Sequence, residues 1–160
     1  MNKDRIHKNR KENWETPPEI FQPLNDFYDF TIDLAADASN HKLPRWIGPG
    51  SSINTDLGDM TPRQVKDEIC WINPPYGKYL SDFTFWVKCM TCVGTRVVAL
   101  LPASIDTRWF WENVYPHAAL YGRRGRIQFL PRGKSGNPGG SILAVSNLAA
   151  PPPHTGWHVL

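Results

Sequence analysis

Cysteine is scarce in this 160-residue chain, three residues in all, and an odd count with no regular spacing excludes a disulfide framework. Free thiols fit a reducing cytoplasm. No stretch approaches 18 consecutive apolar residues, so no membrane-spanning helix is expected. The start Met1-Asn2-Lys3-Asp4-Arg5 leads into more charge rather than an apolar targeting segment, and the chain reads as neither membrane-bound nor secreted. Proline and glycine together are 27 of 160 residues, below the roughly 25–30% that marks low complexity. No internal repeat is visible. What remains, 41% hydrophobic, 21% charged and 12% aromatic, is the composition of one soluble domain. A chain of this size buries roughly 70% of its unfolded surface and needs no metal or disulfide to fold.

Cys89 and Cys92 have the C-x-x-C spacing of zinc and thiol-redox sites. There is no second cysteine pair and no H-x-x-x-H. The pair also follows Phe83 to Val87, which reads as a helix already under way, whereas redox chemistry wants it at a helix start. Packing is the expected role, and no metal is expected.

Positive charge is missing from the middle of the chain. Residues 1–11 carry a net charge of +4, residues 12–68 carry −7, and residues 81–160 carry +5. Arg123, Arg124, Arg126, Arg132 and Lys134 fall within twelve residues that hold no acid. Such a block either contacts phosphate, releasing condensed counterions, or forms a solvated surface strand and loop. The acidic middle suits a cationic or hydroxyl-rich small ligand.

Thr16-Pro17-Pro18-Glu19 has the form of a helix start, with Thr16 as N-cap and Pro17 in the first turn. Residues 27–34 alternate and are rich in β-formers, predicting a strand that ends near Asp33, with a short helix over 35–41 and mostly loop over 44–63. Ile69–Ile72 predicts a strand halted by two prolines, residues 79–93 a helix, and the apolar run 96–101 a fully buried strand. Asp106 or Thr107 is placed to cap a short helix through Val114. Residues 118–121, 126–130 and 141–148 read as further strands. Alternating strands and helices predict an α/β fold with a mainly parallel central sheet. Residues 1–13 read as a basic flexible arm, 14–150 as one folded domain and 151–160 as a loose Pro-rich tail.

The most informative tetrapeptide is Asn73-Pro74-Pro75-Tyr76. It follows an apolar strand, and in open α/β sheets ligands sit beyond the carboxyl ends of the strands. The prolines fix the backbone and leave rigid carbonyls free to accept hydrogen bonds. Asn73 adds a side-chain acceptor and Tyr76 an aromatic face, a set suited to a planar ring with an exocyclic NH2 group. The bland alternative is an ordinary Asn-Pro turn.

Four segments in order resemble the phage and prophage DNA N6-adenine methyltransferases, the small Dam-like family: Trp14-Glu15-Thr16-Pro17, Thr31 to Ala36, Trp71 to Gly77, and Gly125 to Phe129. The resemblance implies a single-domain, Rossmann-like enzyme that uses S-adenosylmethionine and acts on double-stranded DNA, as monomer or homodimer, in a bacterial or phage-infected cytoplasm. It places the methionine part of the cofactor against Thr16, Pro17, Asp33 and Ala35, and the cofactor adenine near Asp56. Asp56 as a cap or turn residue is the equal alternative. Trp14 either stacks on the cofactor or anchors the arm. Asn73, Pro74, Pro75 and Tyr76 are the implied catalytic set, with the block 123–134 on phosphate. The chain departs from the wider methyltransferase pattern after the first strand, where Ala35-Ala36-Asp37-Ala38 replaces Gly-x-Gly.

Asn-Pro-Pro-Tyr also occurs in methyltransferases of cytosine N4 and of glutamine, so another amino group, RNA adenine included, is one alternative function. A non-catalytic nucleic-acid binder is another. Without room for a separate recognition domain in 160 residues, DNA specificity is expected from loops 44–63 and 131–140, from dimerisation, or to be low.

Overall fold

The computed structural model describes residues 14–131, 139–149, 151–152 and 156–160. The expected arm, Arg132 and Lys134 lie outside these residues.

Helix α1 spans Pro18–Tyr28 and buries Ile20, Phe21, Leu24 and Tyr28 on one face. Its cap is Pro17, with no side-chain hydrogen bond, so Thr16 is not the cap that the sequence predicts. The helix also runs through the start of the predicted strand 27–34. Tyr28 lies one turn beyond Leu24 on the buried face, which carries the helix on until Asp29 turns left-handed (φ 57°). Strand β1 is consequently only Ile32–Asp33. No helix follows it, since residues 34–41 form bends and turns.

Strand β2 (Ile69–Ile72), helix α2 (Leu80–Cys92) and strand β3 (Arg96–Pro102) come where the apolar runs predict them. A π-helical turn at Phe110–Val114 leads to β4 (Ala119–Arg123), then β5 (Ser141–Ser146) and β6 (Trp157–Val159). The predicted strand at 126–130 does not join the sheet: Leu130 makes an isolated bridge to Glu15, and Ile127 and Phe129 are buried in the core. The expected loose tail is instead an edge strand, pairing Tyr121 with Val159 and Arg123 with Trp157.

One sheet has the order β1-β2-β3-β5-β4-β6. Only β1 with β2 and β2 with β3 are parallel, while the other three pairings are antiparallel. This corrects the mainly parallel sheet expected from the sequence. A parallel crossover needs a dozen or more residues, usually a helix. The stretch between β4 and β5 is rich in Gly, Pro and Arg and has no helical apolar repeat, so the chain returns antiparallel.

The alternation of β3 divides the core. Val97, Ala99 and Leu101 face the cluster that holds Phe83, Val87 and Met90 of α2, and Val98 and Leu100 face the cluster that holds Leu24 of α1. Both faces of the central strand are covered, which is why it reads as an unbroken apolar run. No helix among the described residues is long and apolar enough to cross a membrane.

Candidate active site

Parallel register places Asp33 beside Trp71, two positions before Asn73, so the ends of β1 and β2 deliver both polar side chains to one edge of the sheet. Beyond that edge lies a cleft of about 240 Å3, partly open to solvent, lined by Trp14, Glu15, Thr16, Asp33, Ala35, Asn40, Lys42, Trp71 and Asn73. Five of the residues singled out in the sequence, Trp14, Thr16, Asp33, Ala35 and Asn73, therefore meet in one place.

Asp33 is 3% exposed. One carboxylate oxygen accepts from the Ala35 amide (3.2 Å) and the other from the Lys42 amide (3.1 Å). Asp33 thereby shapes the turn between these two residues at the wall of the cleft. Lys42 extends its ammonium to the Glu15 carboxylate at 2.5 Å. Glu15, Asn40, Lys42 and Trp71 were not singled out as site residues. The Glu15–Lys42 pair spans 27 positions, and no local pattern announces it.

The alanines that stand for Gly-x-Gly are matched by glycines across the turn. Ala36 and Ala38 donate to the carbonyls of Ile47 and Pro49. A Cβ on Gly48, at φ +140°, would fall 1.9 Å from the Ala36 carbonyl oxygen, and one on Gly50 would fall 3.1 Å from the Ala38 Cβ. The close approach that glycine permits is thus supplied from the opposite side of the loop.

Asn73 donates from Nδ2 to the Thr16 hydroxyl at 2.9 Å. Its Oδ1, and the carbonyl of the buried Pro74, have no donor among the described residues. Pro75 is half-buried beside them. The Tyr76 ring meets Trp14 (6.3 Å, 80°) and Phe129 (5.8 Å, 87°) edge-on, and Trp14 stacks on Phe129 (5.9 Å, 15°). Trp14 therefore anchors its segment and lines the cleft at once. The Tyr76 ring is half-buried, but its hydroxyl is fully enclosed and unpartnered, as is the Ser141 hydroxyl near it. Burial pushes the phenol pKa well above its ordinary value, and Ser141 offsets this only in part.

Pro17, Pro74, Pro75, Tyr76 and Asp56 do not line the cleft. Asp56 accepts from the Gly58 amide at 2.8 Å and caps the 3-10 turn Leu57–Asp59. In the basic block, Arg124 and Arg126 are exposed. Arg123 is half-buried with its guanidinium 5.5 Å from the Trp157 ring, and burial lowers its pKa. Cys89 and Cys92 lie inside α2 with free thiols, Cys89 half-buried and raised in pKa by that burial and by Cys92. Buried Cys70 is pushed up to about 12, chiefly by desolvation, which leaves it inert. Among the described residues no group of three or more His, Cys, Asp or Glu is placed to hold a metal.

A mixed α/β sheet with a charged cleft at its parallel strand ends, beside a rigid Asn-Pro-Pro-Tyr turn, defines a ligand-binding protein of the open-sheet class. The sequence model of the DNA N-6-adenine-methyltransferase (Dam) family matches residues 3–150, and the chain belongs to that family. A DNA N-6-adenine-methyltransferase of Haemophilus phage HP1 (strain HP1c1) is 30% identical over 112 residues, covering 69% of this chain and 61% of that protein. The match thus spans about three-fifths of that relative's length. No solved structure matches.

Proposed function

We propose that this chain transfers a methyl group from S-adenosylmethionine to the exocyclic N6 of an adenine flipped out of double-stranded DNA. The observation that carries the reading is the pair of acceptors with no donor among the described residues, Asn73 Oδ1 and the Pro74 carbonyl, beside a charged cleft in a Dam-family chain.

The cleft residues fit the cofactor. The cleft is partly open and its lining brings charges of both signs together, which suits the amino-acid end of the cofactor. Asp33 and Glu15 offer negative charge to an ammonium and a sulfonium, and Lys42 offers positive charge to a carboxylate. When bound, S-adenosylmethionine supplies an electrophilic methyl carbon. Thr16 and Ala35 form the surrounding wall, with Trp14 beside them, and Pro17 at the cofactor has only the family resemblance behind it. Asp56 at the cofactor adenine has only the family resemblance behind it.

Asn73 Oδ1 and the Pro74 carbonyl accept the two amino hydrogens, which holds the nitrogen lone pair toward the methyl carbon and stabilises the positive charge that grows on nitrogen. Pro75 keeps the turn rigid. The Tyr76 ring stacks on the base, its hydroxyl anchored in the interior. With the cofactor bound, the amine nitrogen would gain the methyl group while the sulfur–carbon electron pair stays with sulfur, and the amine proton would pass to solvent. Arg124 and Arg126, with Arg132 and Lys134 of the same block, hold phosphates, and Arg123 has a weaker share because Trp157 covers it.

The test is methylation of mixed-sequence DNA with labelled cofactor, followed by a nucleoside digest. Label in N6-methyldeoxyadenosine is the expected outcome; label in a cytosine product, or only in RNA or protein, overturns the assignment. Asn73→Ala should lower transfer at least about 10²-fold and leave cofactor binding intact. Normal transfer by that variant would falsify the mechanism.

A further inference from the structure

Thr16 is 2% exposed, and its hydroxyl is released from the capping duty that the sequence predicts because Pro17 occupies the cap position. It accepts from Asn73 Nδ2 at 2.9 Å instead. The terminal torsion of an asparagine is broad and roughly two-fold, and a half-turn exchanges its oxygen and nitrogen. In one orientation Asn73 presents an acceptor to an incoming amine, and in the other it presents NH2 against NH2. A single partner on Nδ2 decides between them, since fixing one arm of the planar amide fixes the other.

Thr16 is itself held from several directions. Its neighbour Glu15 exchanges two backbone hydrogen bonds with Leu130 (3.1 and 2.9 Å), and Trp14 stacks on Phe129. The hydroxyl therefore approaches Asn73 from a braced segment rather than a loose end. Thr16 also lines the cleft, where its hydroxyl would donate to an anionic ligand oxygen and leave its lone pairs to accept from Nδ2.

We infer that Thr16 is a positioning residue: its hydroxyl holds the Asn73 amide with Oδ1 turned toward the acceptor amine. This rests on the reading of Asn73 as the group that receives that amine, and it assigns the Thr16 hydroxyl to Asn73 rather than to the cofactor alone.

The test compares Thr16→Val, which removes the hydroxyl, with Thr16→Ser, which restores it. Misorientation of a reacting group costs on the order of 10²-fold, so Thr16→Val should lose about 10–100-fold in kcat, while affinity for S-adenosylhomocysteine, measured by calorimetry, falls by a much smaller factor. Thr16→Ser should recover most of the rate. An unchanged kcat, a loss confined to cofactor affinity, or failure of serine to rescue overturns the inference. The NMR signal of the Asn73 side-chain NH2 gives a readout independent of activity. In the wild-type protein it should show slow hydrogen exchange; rapid exchange there sinks the inference even where Thr16→Val does not fold. Absence of any DNA methylation by the wild-type protein would instead overturn the proposed function, leaving the Asn73 signal to decide the role of Thr16.

Discussion

Tyr76 separates two properties that one residue seldom divides so cleanly. Its ring is half-buried beside the Asn-Pro-Pro turn, and its hydroxyl is fully enclosed near Ser141 but outside hydrogen-bond geometry. An unsatisfied buried hydroxyl costs about 1–3 kcal/mol. Tyr76→Phe should therefore raise Tm by about 2–4 °C for each kcal/mol relieved in a thermal melt, with methyl transfer retained. Tyr76→Ala removes the stacking face, worth about 1–3 kcal/mol per base, and should lower kcat/KM for DNA by about tenfold or more. Loss of activity in Tyr76→Phe would show that the hydroxyl, not the ring, is what the enzyme uses. At this scale the sequence was readable where chemistry is carried by residue type. Asn73 and Asp33 announce themselves by polarity at the ends of apolar strands, and Thr16 by its place before two prolines. The Thr16–Asn73 hydrogen bond was not legible, because a Thr before two prolines looks like a cap until the helix is seen to start one residue later.

Among the elements, the turn between β1 and residue 50 shows how a missing motif is replaced. Gly48 lies against Ala36 with no room for a side chain, and its backbone occupies a region that L-residues rarely adopt. Gly48→Ala must push the two arms of the turn apart, and it should cost at least about 2 kcal/mol, a Tm drop of about 4–8 °C. Weaker cofactor binding should accompany it, since Asp33 and Ala35 belong to the same turn. A melt unchanged from wild type would exclude the close approach. Strands β2, β3 and β5 and helix α2 were legible because their apolar runs match their burial. The stretch 27–34 misled because its alternation is shared between a helix end and a two-residue strand. Strand β6 was hidden by the prolines before it, although Trp157, 5% exposed, is a core residue that composition alone treats as tail.

Across the whole molecule, charge segregation becomes geometry only in part. The acidic middle contributes Glu15 and Asp33 to the cleft, but it also contributes Asp56 to a turn cap. The basic block likewise divides. Arg124→Ala with Arg126→Ala should reduce the slope of log K against log salt for DNA by about two. Arg123→Ala should instead lower Tm first, by losing a cation–ring contact worth about 0.5–1 kcal/mol. A salt slope untouched by the double variant would remove this block from the DNA interface. The antiparallel half of the sheet was illegible for a related reason: strand direction is set by the connection between β4 and β5, and that connection carries no helical signature in either sense.

The bridge between Glu15 and Leu130 has a bearing on how the protein comes into being. It joins positions 115 apart in the chain, and the entropy of closing so long a loop is met only when the intervening sheet has already brought its ends together. During synthesis at about 5–20 residues per second, the wall carrying Trp14, Glu15 and Thr16 waits for residue 130 to emerge. The cleft is thus a late product of folding, and a nascent chain that already holds β1 to β3 still lacks the brace beside Asn73.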